Sequence, residues 1–135
     1  MEKMKEDKIV MDCNLSFLPT DDKNLVYRAV ALMKEKYHIT TGVKIHLEKK
    51  IPVAAGMAGG SSNCAAALKG MNQMFQLGLS TDELCECGVA LGADVPYCIW
   101  GGTALAEGIG EKLSRIAPMP DCYILVAKPG ISVST

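Results

Sequence analysis

Apolar and polar residues in the first third of the chain follow two different periods. Residues 8–13 form a short, mostly apolar run that predicts a strand with no element before it. Apolar side chains then recur every three or four residues from Leu25 to Met33, which predicts a helix that ends near residue 37. Between residues 43 and 47 apolar residues alternate with polar ones, so this segment is predicted to be a half-exposed strand.

The start of the first helix is predicted from polar residues. Thr20 is a candidate N-cap, and Asp21 and Asp22 follow it directly. Negative charge in a first turn suits the positive end of the helix dipole. We therefore expect this helix to begin just after residue 20.

Glycine-rich segments divide the rest of the chain. A run of Ala, Leu and Met predicts a helix over residues 61–74, and Ser80 with Glu83 forms a capping-box pattern for a helix that reaches about residue 91. Pro96 biases the residue before it towards an extended conformation, so we expect a loop over residues 92–96. Four later segments complete the prediction: short strands at 97–100 and 103–106, a buried strand at 123–127, and the approach to another helix at 132–135.

Composition narrows the classes of function. The 135 residues carry a net charge of −1 and 5% aromatic residues, which argues against a basic nucleic-acid surface or an aromatic stacking platform. No apolar run reaches the roughly 18 residues of a membrane span, and the charged N-terminus does not resemble a signal peptide. The six cysteines lack the spacing of a zinc site, so we expect reduced thiols, no metal-ligand cluster and one cytoplasmic domain.

The candidate chemistry is concentrated in one glycine-rich stretch. It follows the second predicted strand and precedes a predicted helix, and its small side chains let a ligand approach the backbone closely. Free N–H groups at the start of that helix favour an anion, most simply a phosphate. The candidate nucleotide-binding residues are Pro52, Val53, Ala54, Ala55, Gly56, Met57, Ala58, Gly59, Gly60, Ser61 and Ser62.

Composition alone leaves two interpretations of this stretch open. It lacks the lysine of a Walker-type phosphate loop and the spacing of a dinucleotide-binding loop. A tight strand-to-helix turn, in which Ser61 and Ser62 cap the helix, is the structural alternative. An ordinary turn needs only one or two glycines, so the density of small residues favours the ligand.

Several segments resemble a known family. The sequence IPVAAGMAGGSSNCAA at residues 51–66 resembles the phosphate-binding motif of the GHMP kinase superfamily. Further segments resemble the same family in the same order: LPTDDKNLV at 18–26, LGADVP at 91–96, AEGIGE at 106–111 and AKPG at 127–130. The resemblance runs from about residue 8 to residue 135. It extends to the branch that phosphorylates a cytidine-diphosphate-linked methylerythritol in non-mevalonate isoprenoid synthesis.

The resemblance implies a fold and a reaction. The fold is α+β, like the N-terminal domain of GHMP kinases and a related ribosomal protein domain, with helices on one side of a sheet that lacks its first strands. An exposed edge of such a sheet favours association. The implied reaction uses ATP and Mg²⁺ to phosphorylate a small-molecule alcohol, with neither nucleic acid nor membrane as a partner. No oligomeric state is predicted.

Asp94 matches the catalytic aspartate of the family. The resemblance therefore implies that it is the base that accepts the proton of the attacking hydroxyl. A turn aspartate bonded to its own backbone is the other interpretation of this position. The family's active-site lysine has no counterpart here, and family members are longer. We therefore expect residues 1–135 to be a truncated N-terminal ATP-binding domain, without the C-terminal domain and with little or no kinase activity alone.

The loop also departs from the family pattern. The family usually has Leu at the position of Met57 and Gly at the position of Ala58. Ala58 therefore implies either that this position needs no positive φ or that the loop is strained. Lys49 and Lys50 adjoin the loop and are predicted to be solvated charges, with a phosphate or nucleotide contact as the alternative.

The remaining candidates are predicted to be structural. They are His38 at a helix end, His46 on an exposed strand face, Tyr97 and Trp100 in the core, Glu107 and Glu111 on the surface, and Met57, Met71 and Met74 in packing. Three functions remain in view: a kinase, a non-catalytic nucleotide- or phosphate-binding fragment, and a nucleic-acid-binding domain. The near-neutral charge counts against the last.

Overall fold

A computed structural model describes residues 1–127 of the chain. Its helices and strands follow one another in the order β1 (Glu2–Met4), β2 (Ile9–Cys13), α1 (Leu25–Lys36), β3 (Gly42–Leu47), α2 (Gly59–Phe75), α3 (Thr81–Val89), α4 (Val95–Trp100), β4 (Ala104–Glu107) and β5 (Lys112–Arg115). None of the helices in this part of the chain is long and apolar enough to cross a membrane. The six cysteines are free thiols.

The larger sheet has three strands in the order β1-β3-β2. β2 and β3 are parallel, with Met11 opposite Ile45, and α1 makes the crossover that parallel strands require. β1 pairs antiparallel with the other edge of β3. The expectation that no element precedes residues 8–13 is wrong, because the short, charged β1 is held by backbone pairing and has no apolar pattern to reveal it.

One face of the sheet forms the core with the helices. The side chains of Val43, Ile45 and Leu47 are buried, whereas Lys44 and His46 between them are exposed. The buried face belongs to one apolar cluster with residues of α1, α2, α3 and α4. The predicted arrangement, a mixed fold with helices on one side of a half-exposed sheet, is therefore what the structure shows.

Helix α1 begins later than the acidic residues suggested. Its N-cap is Asn24, whose side-chain oxygen accepts a hydrogen bond from the Val26 backbone at 3.0 Å. The prediction of Thr20 as N-cap is wrong because Asp21 forms a local turn, in which its carboxylate accepts the backbone N–H of Lys23. The helix ends at Lys36, as predicted to within a residue.

The capping box of α3 is confirmed. The Ser80 side chain accepts the N–H of Glu83, and a Glu83 oxygen accepts the N–H of Ser80 at 2.8 Å. These reciprocal bonds fix the first residue of α3 at Thr81.

Helix α4 replaces the strand predicted at residues 97–100, and the prediction of an extended Val95 is also wrong. Pro96 lies in the first turn of the helix, where its missing N–H costs no hydrogen bond. Val95 and Ile99 are four residues apart and are both buried against Gly88 of α3. Tertiary packing thus overrides the strand propensity of these β-branched and aromatic residues.

The end of the described chain differs most from the sequence prediction. A strand near 103–106 is confirmed as β4, but its hairpin partner β5 was not foreseen. Residues 123–127 form neither a strand nor part of the core, and Tyr123 and Leu125 are fully exposed. The apolar run indicated a segment suited to burial, but no described strand pairs with it. The helix approach at 132–135 lies outside the described residues.

The capping box predicts a pH-dependent contribution to stability. Hydrogen bonds from the Ser80 backbone and side chain hold the pKa of Glu83 below its ordinary value of 4.5. A carboxyl group whose pKa is lowered on folding stabilises the fold above its unfolded pKa, and this contribution is lost as the pH falls through the folded pKa. We expect Glu83→Gln to lower the melting temperature more at pH 7 than at pH 3. Glu86→Gln, on an exposed position of α3 outside the cap, is the control. Equal losses for Glu83→Gln at both pH values would contradict the prediction.

Candidate functional site

The glycine-rich loop forms one wall of a cavity of about 520 Å³. Residues 52–61 all line it, so the structure brings together ten of the eleven predicted loop residues. Further lining residues come from the segment before α1 and from its first turn, including Leu18, Asn24 and Leu25. Leu47, at the end of β3, also lines the cavity.

The loop backbone is held in unusual conformations. Ala54 and Ala58 have φ of 52° and 46°, in the left-handed region that favours glycine, and Gly56 has φ of 66°. The question left open by the sequence is therefore answered for Ala58: the position does adopt positive φ, and the alanine is strained there.

Helix α2 begins at Gly59, two residues before the predicted start. Its N-cap, Ala58, provides no side-chain hydrogen bond, and the first backbone bond of the helix runs from Ser62 N to Ala58 O at 2.8 Å. The N–H groups of Gly59, Gly60 and Ser61 have no acceptor among the described residues. With the positive end of the helix dipole, these donors make the start of α2 chemically suited to an anion.

The alternative in which Ser61 and Ser62 cap the helix is not found, because both residues lie inside the first turn of α2. Ser61 lines the cavity. Ser62 lies outside the cavity lining, and its hydroxyl is 3.6 Å from the Cys98 sulfur of α4. Ser62 therefore faces the contact between the two helices rather than the candidate ligand.

Asp94 lines the same cavity although it lies more than 30 residues beyond the loop in sequence. It occupies the N-cap position of α4, is exposed, and makes no capping hydrogen bond with its side chain. The alternative, in which the Asp94 side chain forms a hydrogen bond to the backbone of its own turn, is therefore not observed. An exposed carboxylate that lines the same cavity as the free N–H donors of α2 is chemically able to accept a proton there.

The two lysines before the loop have different surroundings. Lys50 is exposed and pairs with Glu48 at 3.3 Å, as predicted for a solvated charge. Lys49 is only partly exposed, lines the cavity, and donates from Nζ to the side-chain oxygen of Asn63 at 3.0 Å. Burial lowers its pKa. Lys49 is therefore less exposed than the favoured expectation of a solvated charge implied.

The other candidates lie away from the cavity, except Met57. Tyr97 is half-exposed rather than part of the core, and its hydroxyl donates to the Gly102 carbonyl at 2.8 Å. Arg115 stacks 4.5 Å from the ring centre of Trp100. The predicted structural positions are found for His38 beyond the end of α1, exposed His46, exposed Glu107 and buried Met71.

The cavity offers few metal ligands of its own. Asp94 is the only carboxylate among the described residues that line it. No group of three or more His, Cys, Asp or Glu side chains within residues 1–127 is placed to hold a metal ion. A divalent ion there would need most of its ligands from a bound phosphate and from water, which is the usual arrangement for Mg²⁺.

The strain at Ala58 predicts an unusual effect of glycine on stability. Ala58→Gly is expected to raise the free energy of unfolding by about 1 kcal/mol, because glycine adopts positive φ without steric strain. The matched control is Ala66→Gly, at an exposed interior position of α2, which should lower it by roughly 0.5–1 kcal/mol. Urea unfolding of both variants measures the two changes. A loss of stability in both variants would contradict the left-handed geometry at Ala58.

Curated relatives match the whole chain but extend well beyond it. The 4-diphosphocytidyl-2-C-methyl-D-erythritol kinase of Enterococcus faecalis is 57% identical over 99% of this chain and 47% of its own length. Enzymes of the same name from Lachnospira eligens and Listeria innocua are 56% and 53% identical over 100% of this chain, and over 47% and 46% of their own lengths. The chain thus spans less than half the length of these relatives.

Solved structures share the fold. A crystal structure of 4-(cytidine 5'-diphospho)-2C-methyl-D-erythritol kinase matches with a TM-score of 0.72 and 34% identity, over 86% of this chain and 40% of that one. A homoserine kinase from Cytophaga hutchinsonii matches in fold with a TM-score of 0.68 and 23% identity, over 84% of this chain and 38% of that one. The predicted fold class is therefore confirmed.

The family model matches the part of the chain that contains most of the residues lining the cavity. The profile described as the GHMP kinases N terminal domain covers residues 24–102, from the N-cap of α1 through the glycine-rich loop to the end of α4. It therefore includes the loop, Lys49 and Asp94, and more than half of the chain. The chain belongs to the GHMP kinase family.

Proposed function

We propose that this chain is the ATP-binding part of a kinase that phosphorylates 4-diphosphocytidyl-2-C-methyl-D-erythritol in non-mevalonate isoprenoid biosynthesis. The observation that carries the proposal is the single cavity that is lined by both the first residues of α2, with their free N–H groups, and Asp94. The names and identities of the relatives support the choice of substrate. In this proposal the chain is an N-terminal domain that acts within a longer enzyme.

The cavity has the size and polarity of a nucleotide site. Its volume of about 520 Å³ lies in the range usual for small-molecule sites. Apolar side chains of Leu18, Leu25 and Leu47 line it together with the loop, which offers backbone donors. These apolar side chains contact the nucleoside of ATP, and the donors of Gly59, Gly60 and Ser61 bind its phosphates.

Asp94 is the proposed base. Its carboxylate lies in the cavity without a hydrogen bond to its own helix, so it is available to accept the proton of the substrate hydroxyl as that oxygen attacks the terminal phosphate. Mg²⁺ fits this site through phosphate oxygens, water and Asp94, and when bound it would offset the charge of the phosphates. The loop donors orient the phosphate chain, and α4 positions the base.

Turnover is assigned to the longer enzyme rather than to these residues alone, because the family's active-site lysine has no counterpart in the sequence. A cytoplasmic location is proposed because free thiols remain reduced there. The alternative function, nucleotide binding without catalysis, uses the same loop and differs only in the role of Asp94.

Two neighbouring glycines give a matched test of nucleotide binding. A Cβ added at Gly59 would lie 2.6 Å from Lys49 Nζ and 2.8 Å from an Ile51 side-chain carbon, whereas one at Gly60 would meet only Leu25 at 3.6 Å. Gly59→Ala is therefore expected to weaken ATP binding at least about tenfold, measured by calorimetric titration, and Gly60→Ala less than about threefold. Equal ATP affinity in folded Gly59→Ala and in the unsubstituted chain would favour a purely structural turn.

The role of Asp94 is tested by separating binding from turnover. Asp94→Asn is expected to keep ATP affinity within a few-fold and to lower kcat by about two to four orders of magnitude, the usual contribution of a general base. ADP release is followed with 4-diphosphocytidyl-2-C-methyl-D-erythritol as acceptor, in an enzyme of the relatives' full length that carries this segment. Unchanged kcat would remove Asp94 as the base and favour the non-catalytic alternative for this site.

A further inference from the structure

The backbone of Lys49 is clamped by a residue from the neighbouring strand. Asn14 follows β2, and its side-chain oxygen accepts the Lys49 N–H at 2.8 Å while its amide donates to the Lys49 carbonyl at 3.3 Å. The backbone N–H of Asn14 also bonds to the Leu47 carbonyl at 3.2 Å. These bonds extend the β2–β3 pairing beyond its last register pair and fix the point where the chain enters the loop.

The side chain of Lys49 then crosses the start of α2. Its ammonium lies so close to Gly59 that a Cβ there would be 2.6 Å from Nζ, and it donates to Asn63 one turn further along the helix. Asn63 and Lys49 both line the cavity. The ammonium is therefore held beside the free N–H groups of Gly59 and Gly60.

The charge of Lys49 has no counter-ion in this position. No carboxylate within residues 1–127 lies within 4.0 Å of its ammonium. Lys34 shows the contrast, since its ammonium binds the Asp7 carboxylate and the carbonyls of Ile39 and Thr41. Lys49 instead lies at the positive end of a helix dipole, where a cation is unfavourable. Burial, which lowers its pKa, adds to the cost.

A bound anion would offset both the positive helix end and the ammonium of Lys49. A negative group bound to the N–H donors of α2 would neutralise the helix end and the lysine together, in a partly buried site where charge interactions are stronger than in water. Local arrangements that cost stability without a ligand are characteristic of functional sites. The conflict around Lys49 therefore points to a negatively charged group in the same cavity.

We propose that the Lys49 ammonium contacts a phosphoryl oxygen of the bound nucleotide, and that Asn14 and Asn63 are positioning residues that hold it there. This rests on the proposed kinase function and adds the cation that the loop otherwise lacks. In Walker-type loops the lysine belongs to the loop itself. In this chain the lysine follows the end of β3, and its side chain passes Gly59 to contact the phosphate that the loop binds.

The test compares binding of a nucleotide, ATP, with binding of its nucleoside, adenosine, which has no phosphate. ATP and adenosine are titrated, with Mg²⁺ present throughout, against the unsubstituted chain, Lys49→Met, Lys49→Arg and Lys50→Met. Lys49→Met is expected to weaken ATP binding about tenfold to a hundredfold, the loss of one charged hydrogen bond, and to leave adenosine within about twofold. Lys49→Arg should recover part of the loss. Lys50→Met, which removes an exposed charge paired with Glu48, should match the unsubstituted chain.

A double-substitution cycle tests the positioning role of Asn63. Asn63→Ala alone is expected to weaken ATP binding several-fold, but to have no further effect in the Lys49→Met background, because the residue acts through the lysine. Additive losses would show that Asn63 acts independently and would overturn its positioning role. Equal ATP affinity for Lys49→Met and the unsubstituted chain would overturn the phosphate contact while leaving the proposed function intact. Failure of the unsubstituted chain to bind ATP at all would instead overturn the proposed function.

Chemical labelling tests the same contact without substitution. Acetylation of the unsubstituted chain is followed by mass spectrometry at Lys49 and Lys50, with ATP, with adenosine and with neither. ATP is expected to slow the labelling of Lys49 at least about threefold, whereas adenosine leaves it unchanged and Lys50 reacts at one rate throughout. This measurement decides the proposal even if Lys49→Met does not fold. Equal protection of Lys49 by ATP and adenosine would overturn it.

Discussion

The left-handed backbone at Ala58 is the constraint on which the site depends. It turns the chain sharply enough for α2 to begin at Gly59, directly beside the cavity, without a side chain to cap it. The N–H groups of the first turn therefore remain free for an anion. A capping serine at position 58 would satisfy one of these donors and reduce the charge offered to a ligand. The strained Ala58 thus precedes a helix start with free N–H groups, whereas Cys64, Leu68 and Met71 of the same helix are buried in the core.

The surrounding elements carry the remaining groups to that point. The β2–α1–β3 unit brings Asn14 and Lys49 to the same edge of the sheet, because parallel strands end on the same side. Helix α4, packed on α3 through Val95 and Ile99 against Gly88, places Asp94 at the cavity. Donors, cation and carboxylate therefore come from three separate parts of the chain, and the apolar core fixes their relative positions.

The parts predicted from sequence are those governed by local rules. The alternation at residues 43–47, the apolar period of α1 and the Ser80–Glu83 box each specify an element through neighbours a few residues apart. Asp94 was singled out through the resemblance to the family and the loop through its density of small residues, and both line the same cavity. The left-handed conformation of Ala58 was left open, since an alanine does not reveal its φ.

The parts that were missed depend on contacts between distant residues. The sequence of α4 favours a strand by propensity, and only its packing on α3 makes it a helix. The apolar run at residues 123–127 indicates a segment suited to burial, but it does not indicate which element it would pack against. Lys49 looked like a solvated strand-end charge, because its partners Asn14 and Asn63 are remote in sequence and carry no motif of their own.

The central claim is that the free N–H groups of α2 bind the phosphates of a nucleotide. Amide resonances of Gly59, Gly60 and Ser61, followed by ¹H–¹⁵N NMR during addition of ATP and then of adenosine, test it most directly. The account predicts that ATP shifts these three resonances and slows their hydrogen exchange, whereas adenosine shifts resonances near Leu25 and leaves the N–H exchange of Gly59 and Ser61 unchanged. Unchanged resonances at Gly59, Gly60 and Ser61 in a folded chain saturated with ATP would contradict it.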